Sequence, residues 1–400
     1  MILEGIKVLD FTQYLAGPTV TRLMAEMGAQ IIKIERAPDG DPSRVLPAIK
    51  DGRSGYFVQQ NLGKQSLCLD MSSPETNEII EKLMAKVDVV VENFGPGVME
   101  KRGWDYESVC RINPRLLMAS ISAFGRTGPL AHKTGFDWIA QAFGGVMHVT
   151  GPRDGGPHPV GMGMADVSSG VHAFAAIGYA LFDRERTGKG QWMDISMIDS
   201  LFHMHEANLQ VNQITEGAFV PGRVGTHHQL LCPCGIYKGP EGYIALLVVQ
   251  NQWAGLCRAM DRADLELDPR FAAQADRAEN QEALIPIIEQ WMQSLPTDVD
   301  VLKRLDANRV PSGPVLNPAD AVHHPYFLER GTVRDVTDPI LGSLKLPGFP
   351  LRFSRQQAYP ARQAPLLGEH NETVLRGMLN YDENCINTLK GKGVIASAPT

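Results

Sequence analysis

The first third of the chain alternates short apolar runs with segments of helical spacing, and this limits the possible folds more than any other feature. Ile6 to Phe11 reads as a strand, and Thr12 to Pro18 as a turn. Thr19 to Met27 carries apolar residues at helical period until Gly28 stops it, and Gln30 to Glu35 reads as a second strand. Glu75 to Lys86 predicts another helix, and Asp88 to Glu92 and Leu116 to Ser122 predict two more strands. Strand, helix, strand in this order implies parallel pairing through right-handed crossovers. Ligands of such sheets sit beyond the carboxyl ends of the strands. Those ends carry Gln13-Tyr14, Glu35-Arg36 and Asn93-Phe94-Gly95.

Further along, Val167 to Arg186 predicts a long apolar helix closed by the turn Thr187-Gly188-Lys189-Gly190. A strand at Gln191 to Ser196 and a helix at Ile198 to Glu216 follow, then a linker at Gly217 to Val224. From Thr226 the composition changes. Strands near Cys234 to Tyr237 and Tyr243 to Val249 precede charge-rich helices between Gln252 and Asn308, and Val310-Pro311-Ser312-Gly313-Pro314 punctuates the return. The expectation is an α/β chain in which a large domain with a parallel sheet, 1–225 completed by 319–400, is interrupted by a smaller α+β domain at 226–318.

Composition removes several classes of function. Net charge is −7, from 38 basic and 45 acidic side chains, so nothing basic enough to track a phosphate backbone is present and nucleic acid is a poor partner. The longest nearly uncharged stretch, Val167 to Phe182, contains His172 and is shorter than the roughly 20 residues of a membrane span. MILEGIKVLDF carries charges at Glu4, Lys7 and Asp10, unlike a secretory leader. Six cysteines in 400 residues are too few for a disulfide scaffold, and Cys232-x-Cys234 has no second pair at zinc spacing. Free thiols in a reducing cytoplasm are expected.

The first strand–turn–helix imitates a dinucleotide site, but the turn has one glycine, Gly17, followed by Pro18, instead of Gly-x-Gly-x-x-Gly. No phosphate loop or Gly-x-Ser-x-Gly elbow occurs. His203 and His205 are two apart and point away from each other on a helix, so no metal site is expected there. Asp166 remains, in Gly161-Met162-Gly163-Met164-Ala165-Asp166-Val167-Ser168-Ser169-Gly170. An Asp at a helix start reads first as an N-cap. A carboxylate there is also kept ionised by the helix dipole, and small neighbours leave it reachable as a nucleophile.

Many short segments also resemble one family. They include Gly5 to Asp10 with Ala16-Gly17-Pro18, Ile34-Glu35-Arg36 with Gly40-Asp41, and Asn61 to Asp70. Val91 to Phe94 with Pro96-Gly97, Ile112-Asn113-Pro114, Phe124-Gly125 with Gly128-Pro129, Thr187 to Met197 and Val310 to Val315 extend the match. In number, order and spacing they resemble the class III CoA-transferase family, which includes formyl-CoA and carnitine CoA-transferases, over nearly the whole length.

The resemblance implies a Rossmann-like large domain plus a small one, an interlocked homodimer, and CoA or acyl-CoA as substrate with no permanently bound cofactor. It places Asp166 on the catalytic aspartate, which would form an aspartyl anhydride and then an aspartyl-CoA thioester while CoA passes from an acyl-CoA to a carboxylic acid. Succinyl-CoA is one candidate donor, and Arg223 with His227-His228 are candidate contacts for the acceptor carboxylate. Leu15, Ala16, Arg36, Leu69, Met71, Asn93, Phe94, Gly95, Arg102 and Phe136 match CoA-side or substrate-side positions. Arg36 and Arg102 would hold an anionic cofactor on an acidic protein. The stretch Thr226 to Gly235 lacks the glycine run of formyl-CoA transferases, which points away from formate and oxalate. The related racemases use a His before an Asp where this chain has Phe136-Asp137, and phenylalanine cannot move a proton. An acyl-CoA racemase, epimerase or isomerase is the alternative, with Asp166 as a base.

Overall fold

The structure is a computed structural model that describes residues 1–356 and 362–398. Its centre is a sheet of six parallel strands: β1 (Lys7–Asp10), β2 (Gln30–Arg36), β3 (Lys64–Leu69), β4 (Val89–Glu92), β5 (Leu117–Ser122) and β6 (Trp192–Ser196). They lie in the order β3-β2-β1-β4-β5-β6. Successive side chains of a strand point to opposite faces, and here both faces are buried. Leu9, Ile32, Ile34, Leu67 and Val90 enter one core with Ile79, Ile80 and Leu83. Val8, Ile31, Val89 and Val91 enter the other with Val20, Met24, Ala173 and Ile177.

Four helices position the site: α1 (Ala16–Glu26), α2 (Gly55–Gln60), α3 (Asp137–Phe143) and α4 (Met164–Thr187). Helix α4 packs on α1, and Gly170 makes the approach possible: a Cβ there would lie 2.6 Å from the carbonyl oxygen of Ala16. The helix ends at Gly188, whose φ of 72° closes the turn as its N–H bonds Arg184 O. The chain from Pro325 onward returns to this unit. Helices Asn371–Leu379 and Glu383–Gly391 place Val374, Leu375, Ile386 and Leu389 in the first core.

By contacts the chain divides into two compact units, and the second consists of Met147–Pro159 and Gln210–His324. It holds a three-stranded antiparallel sheet (Ser312–Pro314, Tyr243–Leu247, Cys234–Lys238) and a core of Tyr237, Trp253, Phe271, Leu284 and Ile288. Its main segment runs from Gln210 to His324, beside the expected 226–318, and it also takes in Met147–Pro159. Arg223 ties that loop by donating to the carbonyls of Gly155 and His148.

The expected helix from Ile198 to Glu216 is two helices, Met197–His203 and Asn208–Ile214. The break is occupied by His205, whose Nε2 lies 2.8 Å from Gly144 O and whose Nδ1 lies 3.1 Å from Asn208 Nδ2. Strand β3 escapes the apolar pattern because two of its inward positions are polar: Lys64 and Ser66 are fully or almost fully buried.

Candidate active site

The strand order reverses direction at β1, whose two neighbours are β2 and β4. A crevice opens at such a switch point beyond the carboxyl ends of the strands. A cavity of about 210 Å³ lies there, walled by Gln13, Tyr14, Leu15, Asn93, Phe136 and Asp166 among others. The two loops are bonded to each other: Asn93 Oδ1 accepts from Gln13 N at 2.8 Å, and Asn93 Nδ2 donates to Gln13 O at 2.8 Å. The Tyr14 and Phe136 rings meet edge to face with centroids 6.1 Å apart.

Asp166 is not the helix cap. Gly163 occupies that position with no side-chain cap bond, and Asp166 is the third residue of α4. The cap comes from α3 instead: Asp137 Oδ1 accepts from Ala165 N at 2.7 Å and from Asp166 N at 3.2 Å. Gln141 donates to Asp137 Oδ2 at 2.6 Å and fixes its orientation. Gly163 also keeps room beside the carboxylate, since a Cβ there would meet Leu15 Cδ2 at 2.6 Å and Asp166 Oδ2 at 3.8 Å.

This arrangement reverses the electrostatics expected of a helix start. Burial, with the adjacent Asp137 charge added, pushes the Asp166 carboxyl up to about 7. The amides that would favour its charge already serve Asp137, and among the described residues none donates to its side-chain oxygens. Tyr56 on α2 feels the same site. Burial, and then the charges of Asp166, Asp41 and Asp137, push its phenol up to about 12, so it is a neutral donor at ordinary pH. If an ionised Asp166 is the reacting form, kcat/KM will rise with pH through about 7. Asp137→Asn removes the neighbouring charge but keeps an oxygen for the helix amides, so that limb will move to lower pH in a kcat/KM profile.

The structure brings together six of the residues singled out from the sequence: Leu15, Asn93, Phe94, Gly95, Phe136 and Asp166. Ala16 and Leu69 are buried whole, at 1% and 0% exposed. Arg36 is exposed, 4.0 Å from Asp39. Arg102 donates to Met71 O at 2.5 Å and covers Trp104, so Met71 and Arg102 form one neighbourhood outside the cavity wall. Sequence reasoning missed Tyr56 and the capping role of Asp137, since no local spacing links either to Asp166. Among the described residues no group of three His, Cys, Asp or Glu could hold a metal ion. Among the described residues no helix is long and apolar enough to cross a membrane.

Comparison with known proteins bears on the family and the fold. The family model for CoA-transferase family III matches residues 3–371. The chain is 33% identical to human succinyl-CoA:glutarate CoA-transferase, covering 98% of this chain and 90% of that protein. It is 38% identical to succinyl-CoA:mesaconate CoA-transferase of Haloarcula hispanica, covering 93% and 95%. A CAIB/BAIF family protein from Brucella suis superposes with a TM-score of 0.83 at 32% identity, covering 94% of this chain and 99% of that one. Sheet, crevice and sequence lead to one assignment: the chain belongs to CoA-transferase family III and is an enzyme that transfers CoA.

Proposed function

We propose that the chain moves CoA from succinyl-CoA to a small carboxylic or dicarboxylic acid, with Asp166 as the covalent nucleophile. The observation that carries this reading is a carboxylate whose oxygens have no donor among the described residues, facing a cavity at the switch point of the sheet. An Asp166 oxygen attacks the thioester carbonyl, the C–S bond breaks, and CoA thiolate leaves a mixed anhydride. The thiolate attacks the Asp166 carbonyl carbon, releasing the donor as its carboxylate and leaving an aspartyl-CoA thioester. The acceptor carboxylate attacks that thioester, its C–S bond breaks, and a second mixed anhydride and CoA thiolate form. The thiolate then attacks the acceptor's carbonyl carbon, releasing the new acyl-CoA and the free Asp166 carboxylate. Anhydride and thioester are both activated acyl groups, so no step requires outside energy, provided water is excluded. A raised Asp166 pKa lowers the cost of burying the group before it reacts, and makes the ionised form a stronger nucleophile.

The wall of Leu15, Asn93, Phe94, Gly95 and Phe136 would receive the acyl-pantetheine end, and Arg36 and Arg102 the phosphates. Met71 would complete the cofactor side, with the buried Ala16 and Leu69 as its support. The names of two relatives support succinyl-CoA as donor. The outward face of α4, with Val167, Val171, Tyr179 and Phe182 exposed, supports a homodimer, which light scattering in solution will test. Six free cysteines support a reducing, cytoplasmic setting.

The direct test is mass spectrometry of the enzyme incubated with succinyl-CoA alone, where CoA bound to the peptide carrying Asp166 is expected. A screen of acceptor acids by chromatography then identifies the second substrate. Deuterium entering the α-carbon of an acyl-CoA with no acceptor present and no adduct on Asp166 would replace this reading with the racemase or isomerase one.

A further inference from the structure

One wall of the cavity is held in an unfavourable conformation. Tyr14 has φ of 64°, a left-handed value that is strained for a bulky residue and persists only where its surroundings impose it. The turn is fastened at every residue from Thr12 to Tyr14. Thr12 N and Oγ1 donate to Asp10 Oδ1 at 2.8 and 2.5 Å, and Gln13 is held by Asn93. Lys33 Nζ donates to Thr12 O at 2.7 Å, and Tyr14 N donates to Asp41 Oδ1 at 3.3 Å.

Lys33 and Asp41 also bond each other. Lys33 Nζ lies 2.7 Å from Asp41 Oδ2, with side chains 0% and 1% exposed. A second buried carboxylate anchors this pair: Glu35 Oε2 accepts from Asp41 N at 3.0 Å, and Glu35 is clamped by Arg44 at 2.7 Å and Ser66 at 2.6 Å. Arg44 in turn lies 3.7 Å over the ring of Phe57, the residue after Tyr56 on α2. The buried charges thus connect the Tyr14 turn and the Tyr56 helix, which both approach Asp166. A buried ion pair is weak evidence of net stability, because desolvation offsets the attraction. Fixing geometry is the better-supported use of this one.

We propose that Lys33 and Asp41, which do not line the Asp166 cavity, are positioning residues that hold the strained Tyr14 wall in its reactive arrangement. The inference rests on the reaction being at Asp166, but its core is the coupling between the ion pair and the strained turn.

Asp41 uses both oxygens: Oδ2 toward Lys33, Oδ1 toward the amides of Tyr14 and Ser43. Asp41→Asn keeps the shape but has one acceptor oxygen, so one arm must break. The test is a double-mutant cycle of Asp41→Asn and Tyr14→Gly, read by kcat and KM and by amide hydrogen exchange over residues 12–15. Asp41→Asn is expected to speed exchange at these amides and lower kcat about tenfold or more, the scale of a small misplacement in an active site. In the Tyr14→Gly background its effect should shrink several-fold, because glycine adopts a positive φ without strain. Additive effects on kcat, or unchanged exchange at 12–15, would overturn the proposal. If Asp41→Asn does not fold, Lys33→Met with Asp41→Leu removes both charges together, and full activity in that variant would also overturn it. Failure of the Asp166 reading shows separately, as a wild-type enzyme without a CoA adduct, while the exchange measurement keeps its meaning.

Discussion

Asp166→Asn will abolish CoA transfer and will stabilise the fold at alkaline pH. Losing the proposed covalent nucleophile is expected to cost at least about a thousandfold in kcat. The stability effect follows from linkage. The folded protein holds the Asp166 proton up to about 7, whereas an unfolded chain releases it near the ordinary Asp value of 3.8. Between those values the native state binds more protons than the unfolded state, so the wild type loses stability as pH rises through the window. Asparagine has no proton to lose. Its advantage will be absent below about pH 4 and complete above about pH 7. Allowing for partial solvent screening, about 1–3 kcal/mol is expected, a rise in Tm of a few degrees for a chain of this size. Thermal melts of both proteins at pH 5 and pH 8.5 measure it. A variant equally or less stable at pH 8.5 would show that burial does not hold the carboxyl protonated.

Gly170→Ala is expected to weaken both the fold and the activity. In a free helix this change would gain about 1 kcal/mol of propensity. Here the added Cβ would lie 2.6 Å from Ala16 O and 2.9 Å from Thr19 Cβ. Backbone cannot rotate away as a side-chain end can, so α4 must shift from α1. Overpacking of this kind costs about 1–3 kcal/mol, sometimes more. Asp166 lies one helical turn before Gly170 on α4, and Leu15 on the opposite wall directly precedes α1, so the shift also widens the cavity. Urea unfolding and kcat of the variant check the two effects. Unchanged values for both would mean that the helices do not approach this closely.

Strands with Val and Ile runs were legible because burial of both sheet faces demands apolar side chains on both. Strand β3 was not, because Lys64 lies 3.0 Å from Asp10 and Ser66 bonds Glu35, partners distant in the chain. The continuous helix expected from Ile198 failed for a similar reason: His205 takes a partner, Gly144 O, that local spacing does not reveal. At the site, Asp166 was legible from its small neighbours and the helix after it. Its electrostatics were not, since they depend on Asp137 arriving from α3.

The sequence by itself determined five of the six strands of the parallel sheet, the family resemblance and the candidate nucleophile, because each is written in local periodicity or local motif. Only the tertiary structure decided that Asp137 caps the helix carrying Asp166, that Tyr56 joins it, and that Lys33 and Asp41 clamp Tyr14. Burial and charge act through space, and the groups that set the protonation of Asp166 and the shape of its cavity come from separate stretches of chain that meet only when the parallel sheet closes.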